Sequence, residues 1–173
     1  MIRRALLAMA VLALACAATV SAASYGKGTR GAPYPVHATV AIPGSKGWKV
    51  RVNSSVPNGT AQVLAANEFN DKPKAGRQFF MINVTVSYTG KGSSQPLTGL
   101  TMKAVGHSDV AYDYQDDCGV LPNALDDTKT LFSGGRLTGN ICFSVKKSDV
   151  PSLLLYVEPA FSFSDTQIFF RVR

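Results

Sequence analysis

The sequence predicts an all-β domain of the sandwich type, and three observations lead there. Apolar residues recur with a period of two rather than 3.6. Short runs of this kind are separated by turn clusters at fairly even spacing, the pattern of a sandwich or barrel. No long stretch carries the apolar stripe of an amphipathic helix. Apolar residues are 46% and charged residues 17% of the 173-residue chain, enough to build one real core and to exclude global disorder.

The domain is preceded by a segment with the order of a secretory signal peptide, residues 1–22. Arg3 and Arg4 make a short basic start. Residues 5–15 (ALLAMAVLALA) form an uncharged apolar run, and small residues follow. Val20 and Ala22 satisfy the small-residue rule for cleavage, as do Ser21 and Ala23. The run is shorter than the roughly 20 residues of a membrane-spanning helix, so cleavage is expected rather than retention. Cys16 adds an alternative. A bacterial lipoprotein signal ends in small residues directly before a cysteine; Ala15 fits that pattern, whereas Leu14 and Ala13 stand in swapped order. Simple secretion is therefore the expected route, with lipidation at Cys16 the alternative. Residues 23–35 (ASYGKGTRGAPYP) are rich in Gly, Pro and small side chains and read as a flexible linker.

Strands follow over residues 36–173. Residues 36–42 alternate and stop at Pro43-Gly44. Trp48, Val50 and Val52 alternate with Lys49, Arg51 and Asn53. The clearest strand spans 79–88, with Ile82, Val84, Val86 and Tyr88 on one face and Asn83, Thr85 and Ser87 on the other. Further strands are marked by Leu100, Met102 and Ala104, by Leu137, Ile141, Phe143 and Val145, by Leu153, Leu155 and Val157, and by Ile168, Phe170 and Val172. The total is about eight to nine short strands. Trp48, the only tryptophan, is expected to anchor the core.

Of the three cysteines, Cys118 and Cys142 remain once the signal segment is removed. Two cysteines in an exported chain read as a disulfide, worth roughly 3–4 kcal/mol on the chain-entropy model for a loop of this length. They lack the further ligands of a zinc site and the spacing of a redox motif. The loop between the middle and late strands, 113–127, is acidic: Asp113, Asp116, Asp117, Asp126 and Asp127 flank Cys118. Several carboxylates in one loop are what calcium requires, and they make the candidate metal ligands. The spacing matches no EF-hand, and a hydrated acidic loop is the simpler reading. Gly106-His107-Ser108-Asp109 sets three catalytic residue types side by side, but neighbours on a strand point apart and form no triad. No catalytic residues are assigned.

The net charge is +7. Without Arg3 and Arg4 it becomes sixteen basic against eleven acidic residues, a net of +5. The basic residues are scattered, without the dense run or aromatic interleaving of a nucleic-acid surface, so no nucleic-acid partner is expected.

Several segments in order carry a resemblance. They are Gly47-Trp48-Lys49-Val50, then Asn67-Glu68-Phe69-Asn70, Pro73, and Gly76-Arg77-Gln78-Phe79. Val84-Thr85-Val86-Ser87-Tyr88-Thr89-Gly90 follows, and then Gly134-Gly135 leading to 138–145 (TGNICFSV). Together they resemble an actinobacterial family of secreted or lipid-anchored proteins. Its members have the immunoglobulin-like β-sandwich of the mycobacterial secreted immunogenic antigen. The resemblance covers residues 36–173 and implies fold and export; the family carries no agreed catalytic residues. The expected function is that of an exported extracellular or cell-envelope binding module with a protein or envelope ligand and no cofactor. One alternative is a secreted hydrolytic or calcium-dependent protein using 113–127. The other is a structural domain tethered to the membrane by a lipid on Cys16.

Overall fold

Strands with one dry face must pair their dry faces, and this chain does so with two antiparallel sheets. The computed structural model describes residues 28–114, 118–161 and 166–173. The signal segment, Cys16, Asp116 and Asp117 lie outside the described residues. Among those described, ten strands are formed. In order they are β1 (Thr39–Ala41), β2 (Trp48–Val56), β3 (Arg77–Tyr88), β4 (Ser93–Ser94) and β5 (Leu100–Val105), then β6 (Ala111–Asp113), β7 (Leu131–Phe132), β8 (Arg136–Lys146), β9 (Leu154–Pro159) and β10 (Ile168–Arg171). Helix α1 spans Thr60–Ala66, helix α2 spans Pro96–Gly99, and a 3₁₀ segment spans Lys147–Ser152.

One sheet has the order β1-β2-β3-β8 and the other β10-β9-β5-β6; β4 and β7 form a small separate ribbon. The chain lays down β2 and β3, crosses to β5 and β6, returns to set β8 beside β3, and crosses again to add β9 beside β5 and β10 beside β9. This is immunoglobulin-like Greek-key connectivity. The strand total exceeds the expected eight to nine because β4 and β7, two residues each, are too short to show a period in sequence.

The core lies between the sheets. Val50, Val52, Ile82, Val84 and Val86 of the first meet Met102, Ala104, Leu155 and Val157 of the second, all at or near zero exposure. Trp48 is 1% exposed, its ring centroid 5.1 Å from that of Tyr88, and its indole N–H reaches Ser94 Oγ at 3.3 Å. Trp48 is part of the buried cluster and sits at the start of β2 rather than in the middle strand that carries the tryptophan of antibody domains. Gly139, in β8, is where Leu125 presses on the strand: a Cβ there would lie 2.4 Å from Leu125 Cα.

Two local features depart from the expectations drawn from sequence. Residues 28–35, expected within a flexible linker, run along β10. Tyr34 N–H donates to Phe169 O at 2.8 Å, Arg171 N–H to Tyr34 O at 2.8 Å, and Phe169 N–H to Gly28 O at 2.8 Å. Arg30 fastens the same segment to Gly106 O (2.7 Å) and to Asp109 (2.6 Å). The exposed edge of β10 supplies backbone partners that composition does not reveal. The second feature is α1, seven residues too short to present a helical stripe.

Candidate functional site

The outer face of the first sheet is apolar at one end and polar at the other, and the site lies where the two meet. On β3 the outward residues are Phe79, Met81, Asn83, Thr85 and Ser87, opposite the core-facing Phe80, Ile82, Val84 and Val86. Phe79 and Met81 are sealed beneath α1, whose Val63 is fully buried against them, and beneath the Cys118–Cys142 disulfide. The helix is seated beyond the end of β2 by one backbone and one side-chain hydrogen bond to Phe79. Gly59 N–H donates to Phe79 O at 2.7 Å, and Phe79 N–H donates to Thr60 Oγ1 at 3.2 Å.

The polar end is a row of amides. A register shift between Val52 and Ser54 places an extra residue, Asn53, in β2. Asn53 Nδ2 donates to Asn83 Oδ1 and to Thr85 Oγ1, each at 2.9 Å. Asn83 Nδ2 donates to Asn140 Oδ1 at 2.8 Å, and Asn140 Nδ2 donates to Pro122 O at 2.7 Å. Thr85 and Thr138 meet beside this row at 2.8 Å. Asn83 and Asn140 have each spent one donor and one acceptor in this row, which leaves each a second N–H and a second lone pair for a ligand.

The far wall is the segment after Cys118. Asn70 holds it by both edges of its amide: Val120 N–H donates to Asn70 Oδ1 at 2.8 Å, and Asn70 Nδ2 donates to Val120 O at 2.7 Å. Asn140 N–H donates to Asn123 O at 2.8 Å and Leu125 N–H to Asn140 O at 2.9 Å, so the segment also pairs with β8. Between this wall and α1 opens a cleft of about 530 Å³. Ser54, Gln62, Asn83, Asn123 and Asn140 supply its polar lining, and Ala65, Ala66, Met81 and Pro122 its apolar lining. The volume suits a small ligand or a short polymer segment. Among the described residues no ionisable side chain lines it. The cleft therefore offers hydrogen bonds and apolar contact, and no described group able to take or give a proton at neutral pH.

The residues expected from sequence fall elsewhere. Cys118 and Cys142 form the anticipated disulfide, with Cα atoms 6.2 Å apart, and it ties the cleft wall to β8. Asp113 pairs with Lys103 at 3.5 Å, Asp126 accepts from Thr128 Oγ1 at 2.9 Å, and Asp127 accepts from the Tyr114 hydroxyl. Among the described residues no group of three or more His, Cys, Asp or Glu side chains is gathered as a metal ion requires.

The turn at 106–109 folds around a residue not singled out in sequence, Asp149, which is fully buried. Tyr112 OH donates to Asp149 Oδ2 at 2.6 Å, and Ser108 donates through both its hydroxyl and its backbone N–H. His107 Nδ1 lies 3.1 Å from Asp149 Oδ1, and Ser152 Oγ approaches the same nitrogen at 3.5 Å. A catalytic triad needs the two ring nitrogens to serve different partners, so this set is a fastening of the fold. Burial by itself would raise the Asp149 carboxyl, but the hydrogen bonds from Ser108 and Tyr112, with His107 nearby, hold it below the ordinary aspartate range. Burial, and then the bond to Asp149, push the Tyr112 phenol above its ordinary value.

The chain matches no established family profile, and no curated protein matches it. Among solved structures it is similar to a secreted protein of Mycobacterium tuberculosis, MPT63, at 15% identity over 80% of this chain and 97% of that one, with a TM-score of 0.49. It is also similar to an uncharacterised β-sandwich protein of Clostridium difficile 630, at 10% identity over 80% and 91% of the two chains (TM-score 0.47). A third is the yjhA protein of Bacillus subtilis, at 15% identity over 80% and 98% (TM-score 0.48). These are likenesses of overall shape; ligand and role rest on this chain's own residues.

Proposed function

We propose that this chain is an exported, non-enzymatic binding module of the cell envelope or its exterior, and that the outer cleft holds its ligand. The observation that carries this reading is the uncharged, amide-lined cleft between α1, β3, β8 and the disulfide-held segment. Rigid strands fix its floor, and the disulfide and Asn70 fix its wall, so little ordering accompanies binding. Such a lining matches a neutral ligand rich in amides or hydroxyls, such as an N-acetylated glycan or an uncharged peptide segment. Export is supported by the disulfide, which persists in oxidising compartments, and by the signal-like order of residues 1–22. Secretion in soluble form and membership of the actinobacterial sandwich family belong to the same proposal, with lipidation at Cys16 as its alternative.

The test is an NMR titration that follows the side-chain amide signals of Asn83 and Asn140. The probes are diacetylchitobiose and an uncharged tripeptide amide. A saturable shift of those signals with either probe is expected. No shift with both probes, in a protein with an intact thermal transition, rejects the cleft as the ligand site.

A further inference from the structure

The opposite end of the same strands carries a second cleft of different chemistry. Where β2 starts and β3 ends, Trp48, Tyr88, Ser93 and Ser94 line a space of about 380 Å³ together with Lys46 and Lys91. Among the described residues no aspartate or glutamate lines it, and neither lysine forms an ion pair. Two lysines and no carboxylate on one cleft give it a positive field that favours an anion.

The loops that present these lysines are fixed to each other. Thr89 N–H and Thr89 Oγ1 both donate to Gly47 O, at 2.9 and 3.0 Å. Tyr88 OH donates to Lys91 O at 2.8 Å. The lysine backbones are thus set in place, and only their side chains need order on binding. Hydroxyl donors complete the lining. Ser94 Oγ accepts from the Trp48 indole N–H, which leaves its own proton for a ligand, and the Ser93 hydroxyl has no partner among the described residues. Phe132, the strand partner of the lining residue Ser93, is 70% exposed. It offers apolar contact to whatever carries the anion.

We propose that this cleft seats a phosphate group borne by an organic carrier. Lys46 and Lys91 neutralise its charge, and the Ser93 and Ser94 hydroxyls bond its oxygens. The inference is independent of the neutral ligand proposed for the outer cleft.

Trp48 is the only tryptophan and its indole nitrogen bonds to a cleft hydroxyl, so its fluorescence reports occupancy. The full chain is titrated with glycerol phosphate, with potassium chloride at matched ionic strength as control. A saturable emission change specific to the phosphate is expected. The double variant Lys46→Gln/Lys91→Gln should weaken it about tenfold or more while leaving the thermal midpoint unchanged, because both side chains are exposed. A second arm uses vesicles of phosphatidylglycerol against phosphatidylcholine. A lysine-dependent response to the anionic vesicles identifies a lipid headgroup as the carrier; a response to glycerol phosphate alone identifies a soluble or polymer-borne phosphate. No saturable change in either arm, or an equal change in the double variant, overturns the proposal.

Discussion

Replacing Asp149 by alanine should be among the most damaging single changes outside the apolar core. The carboxylate is fully buried and accepts hydrogen bonds from Ser108 Oγ, Ser108 N–H and Tyr112 OH. A hydrogen bond to a charged acceptor is worth about 1.5–3 kcal/mol, and the alanine variant leaves the buried Tyr112 hydroxyl without its acceptor. His107 also loses the anion beside it. The expected loss is about 3–5 kcal/mol, a fall of roughly 10 °C or more in Tm for a chain of this size. Asparagine keeps the shape and one acceptor and should cost about 1–2 kcal/mol.

The wild type and the asparagine variant also separate with pH. A carboxyl held below its ordinary value contributes stability that is fully present above the unfolded-chain pKa of 3.8 and lost as pH falls through the folded value. The gap between wild type and Asp149→Asn should therefore narrow under acid. At alkaline pH the raised Tyr112 phenol has the opposite sense: its contribution is present below about pH 10 and lost as pH rises through the folded pKa. Urea melts of the wild type and both variants at neutral and acid pH measure this. A loss below about 1 kcal/mol for Asp149→Ala, or a gap independent of pH, refutes the reasoning.

Gly99→Ala should destabilise by about 1–3 kcal/mol, since the added Cβ would lie 2.0 Å from Trp48 Nε1; a shifted Trp48 emission spectrum together with a lowered melting point checks it. Removing the disulfide with Cys118→Ser/Cys142→Ser should cost about 3–4 kcal/mol for its sequence separation of 24, measured by urea denaturation with and without reductant.

The period-two pattern is legible in the sequence because each long strand buries one face. Ile82, Val84 and Val86 point to the core just as their alternation with Asn83 and Thr85 indicates. The disulfide is legible because only two cysteines lie beyond the signal-like segment. The outer cleft is not. Its floor joins Asn83 to Asn140, residues brought opposite each other by the pairing of β3 with β8, and register across a long connection leaves no local mark. Asp149 is hidden for a similar reason: its partners Ser108 and Tyr112 lie in and after a turn far along the chain. The acidic loop stands out by composition, yet its described carboxylates are taken up separately by Lys103, Thr128 and Tyr114. Composition registers which groups are near in sequence, whereas a site depends on which are near in space.

The central claim is that the uncharged outer cleft is the ligand site, and the most direct test is to fill it. Ala66 lies on its α1 wall, is exposed, and packs into no core cluster, so Ala66→Trp should occupy the space without unfolding the domain. The measurement is the titration of wild type and Ala66→Trp with diacetylchitobiose and the uncharged tripeptide amide, read on the Asn83 and Asn140 side-chain amides. Saturable shifts are expected in the wild type and none in the filled variant, with both proteins melting alike. Equal binding by the two proteins, or no binding by the wild type to either probe, contradicts the claim.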